Sequence, residues 1–142
     1  MRIADVLRSK GASVATITPE TSVSGLLTEL SVHNIGAMVV VSPDGVIGIV
    51  SERDVVRALQ QRGADLLRAP VSEIMTKFVA TCTPNDSVDS LSVLMTTKRV
   101  RHIPVMENGR LTGIVSIGDV VKTRMEELEA TQEQLQAYIT RG

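Results

Sequence analysis

Two tetrapeptides carry the side chains best suited to chemistry. Ser51-Glu52-Arg53-Asp54 and Ser116-Ile117-Gly118-Asp119 each set a hydroxyl and a carboxylate three residues apart, just before an apolar run. A carboxylate so placed can accept hydrogen bonds from both hydroxyls of a ribose cis-diol, as the acidic residue of dinucleotide-binding folds does for a ribose hydroxyl. The serine hydroxyl and the free amides of a helix start suit an anionic phosphate. The same spacing is that of a capping box, in which the serine accepts from the third helical N–H and the acid bonds back to the cap. The two roles are compatible, because a serine oxygen has more than one lone pair.

A second group is basic. In Arg99-Val100-Arg101-His102-Ile103-Pro104-Val105, Arg101 and His102 stand at the entry of an apolar strand, where they can clamp a di- or triphosphate. A solvated loop between helix and strand is the plain alternative. The matching stretch, Asn34-Ile35-Gly36-Ala37-Met38, has no basic residue, and its Gly36 and Ala37 permit close backbone approach without supplying charge. Arg53 also lacks a counterpart, since Gly118 stands there. The two potential sites are therefore predicted to differ in phosphate affinity.

Nucleophilic and metal chemistry find less support. Cys82 is the only cysteine, which excludes an internal disulfide, and pairing with His102 would be needed to make it a nucleophile. Its position matches the apolar Ile17, a slot for a small buried hydrophobe. His33 and His102 have no zinc-ligand spacing, and neither G-x-x-x-x-G-K nor G-x-G-x-x-G occurs. The expectation is a protein without catalytic or metal-ligating residues.

The elements that position these groups are written twice. A shift of 65 positions aligns 14–57 with 79–122 without a gap. Val14-Ala15-Thr16-Ile17-Thr18-Pro19 returns as Val79-Ala80-Thr81-Cys82-Thr83-Pro84, and Gly48-Ile49-Val50-Ser51 as Gly113-Ile114-Val115-Ser116. Each copy reads strand, helix, strand, strand, helix. In the first, 14–18 is β-rich and ends at Pro19, and 22–33 spaces Val23, Leu26, Leu27 and Leu30 as a helix. Two apolar runs, 38–41 and 46–50, then flank the turn Ser42-Pro43-Asp44-Gly45. The second copy repeats this with 103–106 and 111–115 around Glu107-Asn108-Gly109-Arg110, a hairpin signal. Such apolar strands would leave one copy's sheet badly covered, so the pair, packed about a pseudo-twofold axis, is the expected folding unit.

Composition narrows the partners. Of 142 residues 43% are hydrophobic but only 1% aromatic, too few for the stacking platforms that bind single-stranded nucleic acid. The net charge of -1 gives no general attraction to phosphate backbones. No apolar run approaches the roughly 18 residues that span a membrane, and no signal-like segment opens the chain. Neither nucleic acid nor membrane is an expected partner, and a cytoplasmic location is the default.

With Gly-Ile-Val-Ser-x-x-Asp closing each copy, the tandem unit resembles the cystathionine-β-synthase (CBS) domain family, arranged as the pair called a Bateman module. The resemblance runs from about Val6 to Arg124. It implies an α/β fold of α+β type, with repeat 1 over 1–62, a linker over 63–70, repeat 2 over 71–126 and a C-terminal amphipathic helix over 127–142. It further implies a homodimer, often a flat disk, that binds AMP, ADP, ATP, NAD or S-adenosylmethionine between the copies and signals to an effector protein without catalysis. By resemblance, Asp54 and Asp119 hold ribose, Ser51 and Ser116 lie near phosphate, and Arg101 and His102 contact it. The strand backbone at Ala15-Thr16 and Ala80-Thr81 would read adenine. The rival reading is a non-catalytic interaction protein with empty clefts. It would act through the C-terminal helix, where Val121, Met125, Leu128, Leu135 and Ile139 form an apolar series broken at Gln132.

Overall fold

The structure is a computed structural model that describes residues 1–11, 13–77 and 79–141. In chain order it contains α1 (Ile3–Lys10), β1 (Thr16–Ile17), α2 (Val23–His33), β2 (Ala37–Ser42), β3 (Gly45–Ser51) and α3 (Glu52–Arg62). Two 3-10 turns follow, Gly63–Arg68 and Val71–Glu73, and then α4 (Val88–Lys98), β4 (His102–Glu107), β5 (Arg110–Ser116) and α5 (Ile117–Arg141).

The duplication is visible in the register. β1 runs parallel to β2, which pairs antiparallel with β3, and β4 pairs antiparallel with β5. Ala37 faces Ser51 and His102 faces Ser116, and each hairpin slips once, between Val40 and Val41 and between Val105 and Met106. Both hairpins therefore deliver their serine to the start of a helix with the same geometry.

The first strand of each copy is shorter than the sequence predicts. The run 14–18 shrinks to Thr16–Ile17, and 79–83 to one parallel bridge between Cys82 and Val105. Turns closed by Thr21 N–H to Thr18 C=O (3.1 Å) and Asp86 N–H to Thr83 C=O (3.1 Å) take the chain away at once. Pro19 and Pro84, which cannot donate to a ladder, sit inside those turns. Ser22 and Ser87 then cap α2 and α4, accepting from Gly25 N–H and Ser90 N–H at 3.0 Å each.

Two cores form, and each is completed by residues that precede the other copy's first strand. The first joins Ile17, Leu26, Met38 and Val50 to Leu66, Ala69 and Val71, which lie beyond α3. The second joins Leu91, Ile103 and Val115 to Ile3, Val6 and Leu7 of α1. Backbone bridges mark the same crossing: Arg2 pairs with Ser87, and Pro70 with Ser22. Close contacts repeat it, since a Cβ on Gly113 would lie 2.7 Å from Leu7 Cδ2 and one on Gly48 2.7 Å from Met75 Sδ. The lead-in segment of each repeat thus packs on the other repeat. Residues 63–70, expected as a linker, are folded structure in which Leu66 is fully buried.

At the far end, 127–141 does not form a helix of its own. It continues α5 without a break at 127. Val121, Met125, Leu128, Leu135 and Ile139 along it are each half or more exposed. No helix of the described residues is long and apolar enough to cross a membrane.

Candidate functional site: two clefts between the copies

The crossing of the two copies creates two clefts, each built from one copy's helix start and the other copy's first strand. In the first, Ser51, Glu52, Arg53, Asp54 and Arg57 of β3 and α3 face Val79 and Ala80 and the stretch Arg99, Val100, Arg101 and His102. In the second, Ser116 and Ile114 of β5 face Val14, Ala15 and Thr16, His33 to Ala37, and Lys10 of α1. Gly36, Ala37 and His102 line both, so they stand at the pseudo-twofold axis. They are fixed there by matching hydrogen bonds, from Glu52 N–H to Gly36 C=O (3.0 Å) and from Ile117 N–H to Arg101 C=O (2.8 Å).

Both Ser-x-x-Asp motifs form capping boxes. Asp54 Oδ2 accepts from Ser51 N–H at 2.8 Å and Ser51 Oγ accepts from Asp54 N–H at 3.3 Å. Asp119 Oδ2 accepts from Ser116 N–H at 2.8 Å and Ser116 Oγ from Asp119 N–H at 3.2 Å. These bonds occupy Oδ2 of each carboxylate, and no hydrogen bond reaches either Oδ1 among the described residues. Capping therefore orients each acid through Oδ2; Oδ1 of Asp54 stays open to a ligand hydroxyl, whereas Asp119 also carries the Lys10 ammonium on Oδ2.

The charge is distributed unevenly. Arg53 and Arg101, which the sequence places in different copies, come together in the first cleft, joined by Arg57 and Arg99. None of these four guanidinium groups lies within 4.0 Å of a carboxylate among the described residues. Four such cations against Glu52 and Asp54 give this mouth a net positive lining, chemistry suited to an anion. The second cleft has Lys10, but its Nζ donates to Asp119 Oδ2 (2.6 Å) and to the Ile114 carbonyl (2.9 Å). Glu29 and His33, themselves 3.3 Å apart, complete its charged lining.

Titration follows these surroundings. Burial alone would raise the Asp119 carboxyl, but hydrogen bonds from Lys10 and Ser116, with the Lys10 charge, hold it below the ordinary carboxylate value. His102 is lowered by burial first and then by the nearby Lys10 and Arg101 charges, against an opposing pull from Asp119 and Glu52. Burial, with the Asp86 charge, pushes the Cys82 thiol up to about 12. A thiol so protonated and buried is a core side chain rather than a nucleophile. Among the described residues no three His, Cys, Asp or Glu side chains cluster as a metal site.

Most residues singled out from the sequence line one cleft or the other. Thr81 does not: it is exposed and belongs to the lining of neither. Asp119 is likewise in neither lining: it is hydrogen-bonded to Ser116 and Lys10, which do line the second cleft. Sequence reasoning missed Arg57, Arg99 and Lys10. Arg57 was within reach, being one helical turn beyond Arg53 on the same face. Arg99 ends α4 as a left-handed residue (φ 55), in the backbone place that Asn34 (φ 53) takes in the first copy. Lys10 gave no local signal, because its partner is 109 residues away.

Known proteins agree on the frame. The CBS domain matches residues 3–61 and again 71–126. A mitochondrial CBS domain-containing protein of Arabidopsis thaliana is 37% identical over 149 residues, covering 99% of this chain and 72% of that protein. The crystal structure of a CBS-domain containing protein from Agrobacterium tumefaciens superposes with a TM-score of 0.83 at 48% identity, covering 87% of this chain and 92% of that one. The CBS domain pair of the protein MJ0100 gives a TM-score of 0.77 at 26% identity over 87% of this chain and 98% of that one. It was solved with 5'-methylthioadenosine and S-adenosyl-L-methionine.

Proposed function

This chain belongs to the CBS domain family, and from that premise we propose that it is a regulatory module binding an adenine nucleotide between its two repeats. The nucleotide we favour carries two or more phosphates, as ADP, ATP and NAD do, and AMP is the weaker ligand. One observation carries the reading: in the first cleft Asp54, with Oδ1 not hydrogen-bonded, shares the lining with four arginines that have no carboxylate partner among the described residues. Ribose hydroxyls would bond Asp54 Oδ1, the phosphates would lie toward Arg53 and Arg101, and adenine would rest on Val79 and Ala80. The adenosine-derived ligands of the MJ0100 pair support the nucleoside half of this assignment.

Signalling would follow from the crossing. A ligand that touches α3 of one copy and β4 of the other favours one packing of the pair, and a coupling of about 1–3 kcal/mol suffices for regulation. Val32, Val56, Val121 and Met125, exposed on the outer helices, support a homodimer through which an effector reads that change.

The test is thermal shift of nucleotide-stripped protein with AMP, ADP, ATP, NAD and S-adenosylmethionine, on wild type and Asp54→Ala. A ligand at 100 times its Kd adds about 2.7 kcal/mol of stability. The reading expects the largest shift from a polyphosphate nucleotide and its loss in Asp54→Ala; no shift with any of the five refutes it. The interaction-protein reading draws on the exposed apolar residues of α5, from Val121 to Ile139. Truncation after Glu127 that abolishes the oligomer in sedimentation, in a protein blind to nucleotides, would favour it instead.

A further inference from the structure

The second cleft is the roomier of the two, about 570 Å3 against about 240 Å3, so space does not distinguish them. What differs is the carboxylate. Asp54 has no cation within 4.0 Å among the described residues, whereas Asp119 is held at 2.6 Å by Lys10. The Lys10 side chain is 32% exposed and that of Asp119 21%, so the pair sits at the surface with the carboxylate the more covered partner.

Lys10 is held there by structure rather than by chance contact. It ends α1, whose Leu7 is wedged against Gly113 of β5. Its Nζ also donates to the Ile114 carbonyl at 2.9 Å. In the first copy the equivalent carbonyl, that of Ile49, is satisfied by the backbone N–H of Thr76 at 2.9 Å. The ammonium thus completes a sheet-edge hydrogen bond that backbone makes in the other half, and two of its three donors are committed. The lead-in segments correspond at an offset of 68 positions, as Arg2 with Pro70 and Leu7 with Met75 show. At that offset Lys10 matches Phe78, which carries no charge.

We propose that Lys10 is a built-in counter-cation that closes the second cleft by neutralising Asp119 at Oδ2 and standing in the lining where that carboxylate would meet a ligand, so that the resting protein binds one nucleotide per chain. A ribose diol seeking Asp119 meets a carboxylate already neutralised and hydrogen-bonded, and must compete with a tethered ammonium that is always present. Lys10 is a specificity-determining residue for that cleft. The proposal rests on the nucleotide reading above, and the two fail separately.

The experiment is isothermal titration of AMP, ADP and ATP in turn into wild type, Lys10→Met and the double variant Lys10→Met/Asp119→Asn. Lys10 stands at the end of a surface helix, and methionine keeps its apolar stem. The expected result is one site per chain in wild type and two in Lys10→Met. The gained site should be tighter by about tenfold or more than any residual second binding in wild type, the worth of one charge-assisted hydrogen bond. It should vanish again in the double variant. Two sites in wild type, or one in both wild type and Lys10→Met, overturn the clamp while leaving the first cleft's assignment standing. No heat with any of the three nucleotides in any protein overturns the nucleotide reading and the clamp with it.

Discussion

Ile3→Ala tests the crossed packing that builds both clefts. Ile3 lies in the first helix, two residues from the start of the chain, yet it is 0% exposed inside the second copy's core. Truncation to alanine removes three buried carbons, roughly 2.4 kcal/mol at about 0.8 kcal/mol each. The cavity left behind raises this to about 3–4 kcal/mol, within the range for large-to-small core changes. At about 2.1 cal/mol/K of unfolding entropy per residue, a chain of this length loses roughly 10 °C in Tm for about 3 kcal/mol. Calorimetry reads the Tm, and hydrogen exchange by mass spectrometry reads where protection is lost. Loss should come first in β4 and β5, which are distant in sequence, and not in β2 and β3. Val71→Ala should do the reverse, because Val71 sits in the first copy's core. An Ile3→Ala protein within about 1 kcal/mol of wild type, or one that loses protection first in β2 and β3, refutes the crossing.

Other consequences follow from the same geometry. Arg53→Ala and Arg101→Ala should each weaken ATP by about 10–100-fold, the worth of a charge-assisted hydrogen bond, and AMP by less; equal losses for both nucleotides by calorimetry would contradict a polyphosphate mouth. His102 has a pKa below the ordinary 6.5, so its environment contributes stability that is present above about pH 6.5 and lost as pH falls through the lowered value. Phosphate beside it would raise that pKa again, so nucleotide binding near pH 6 should take up protons; calorimetry in two buffers of different ionisation enthalpy reads this, and His102→Gln should abolish it. Gly48→Ala should cost more stability than Gly113→Ala, as urea midpoints will show. A Cβ on Gly48 would meet the Thr76 carbonyl oxygen at 2.9 Å as well as Met75, whereas one on Gly113 meets only the ends of the Leu7 side chain.

Local features were legible because their causes are local. The hairpin turns, the serine caps of α2 and α4 and the Ser-x-x-Asp boxes are each set by residues within four positions of one another. Capping is observed at both Asp54 and Asp119, and it consumes only Oδ2 of each carboxylate. The first strands were over-read: Val14 to Thr18 has β-forming side chains, but Pro19 and the following turn leave only two residues paired. The stretch 63–70, with its glycine and proline, reads as a connection between the repeats, and nothing local reveals that its Leu66 also enters a core.

Inequality between the sites was also legible, but its form was not. The sequence shows Arg53 only in the first copy and Arg101-His102 only in the second, as though each site received something. Because the copies cross, Arg53 and Arg101 fall on the same side, and the first cleft collects four arginines. His102 stays on the axis between the clefts, and the second is left with a lysine committed to Asp119. The sequence by itself determined the duplicated unit, its elements and the family, since repetition and periodicity survive without long-range contacts. Only the tertiary structure decided which charges share a cleft and which carboxylate is already answered. Those outcomes depend on contacts such as Lys10 with Asp119, between residues 109 positions apart, that no spacing rule encodes.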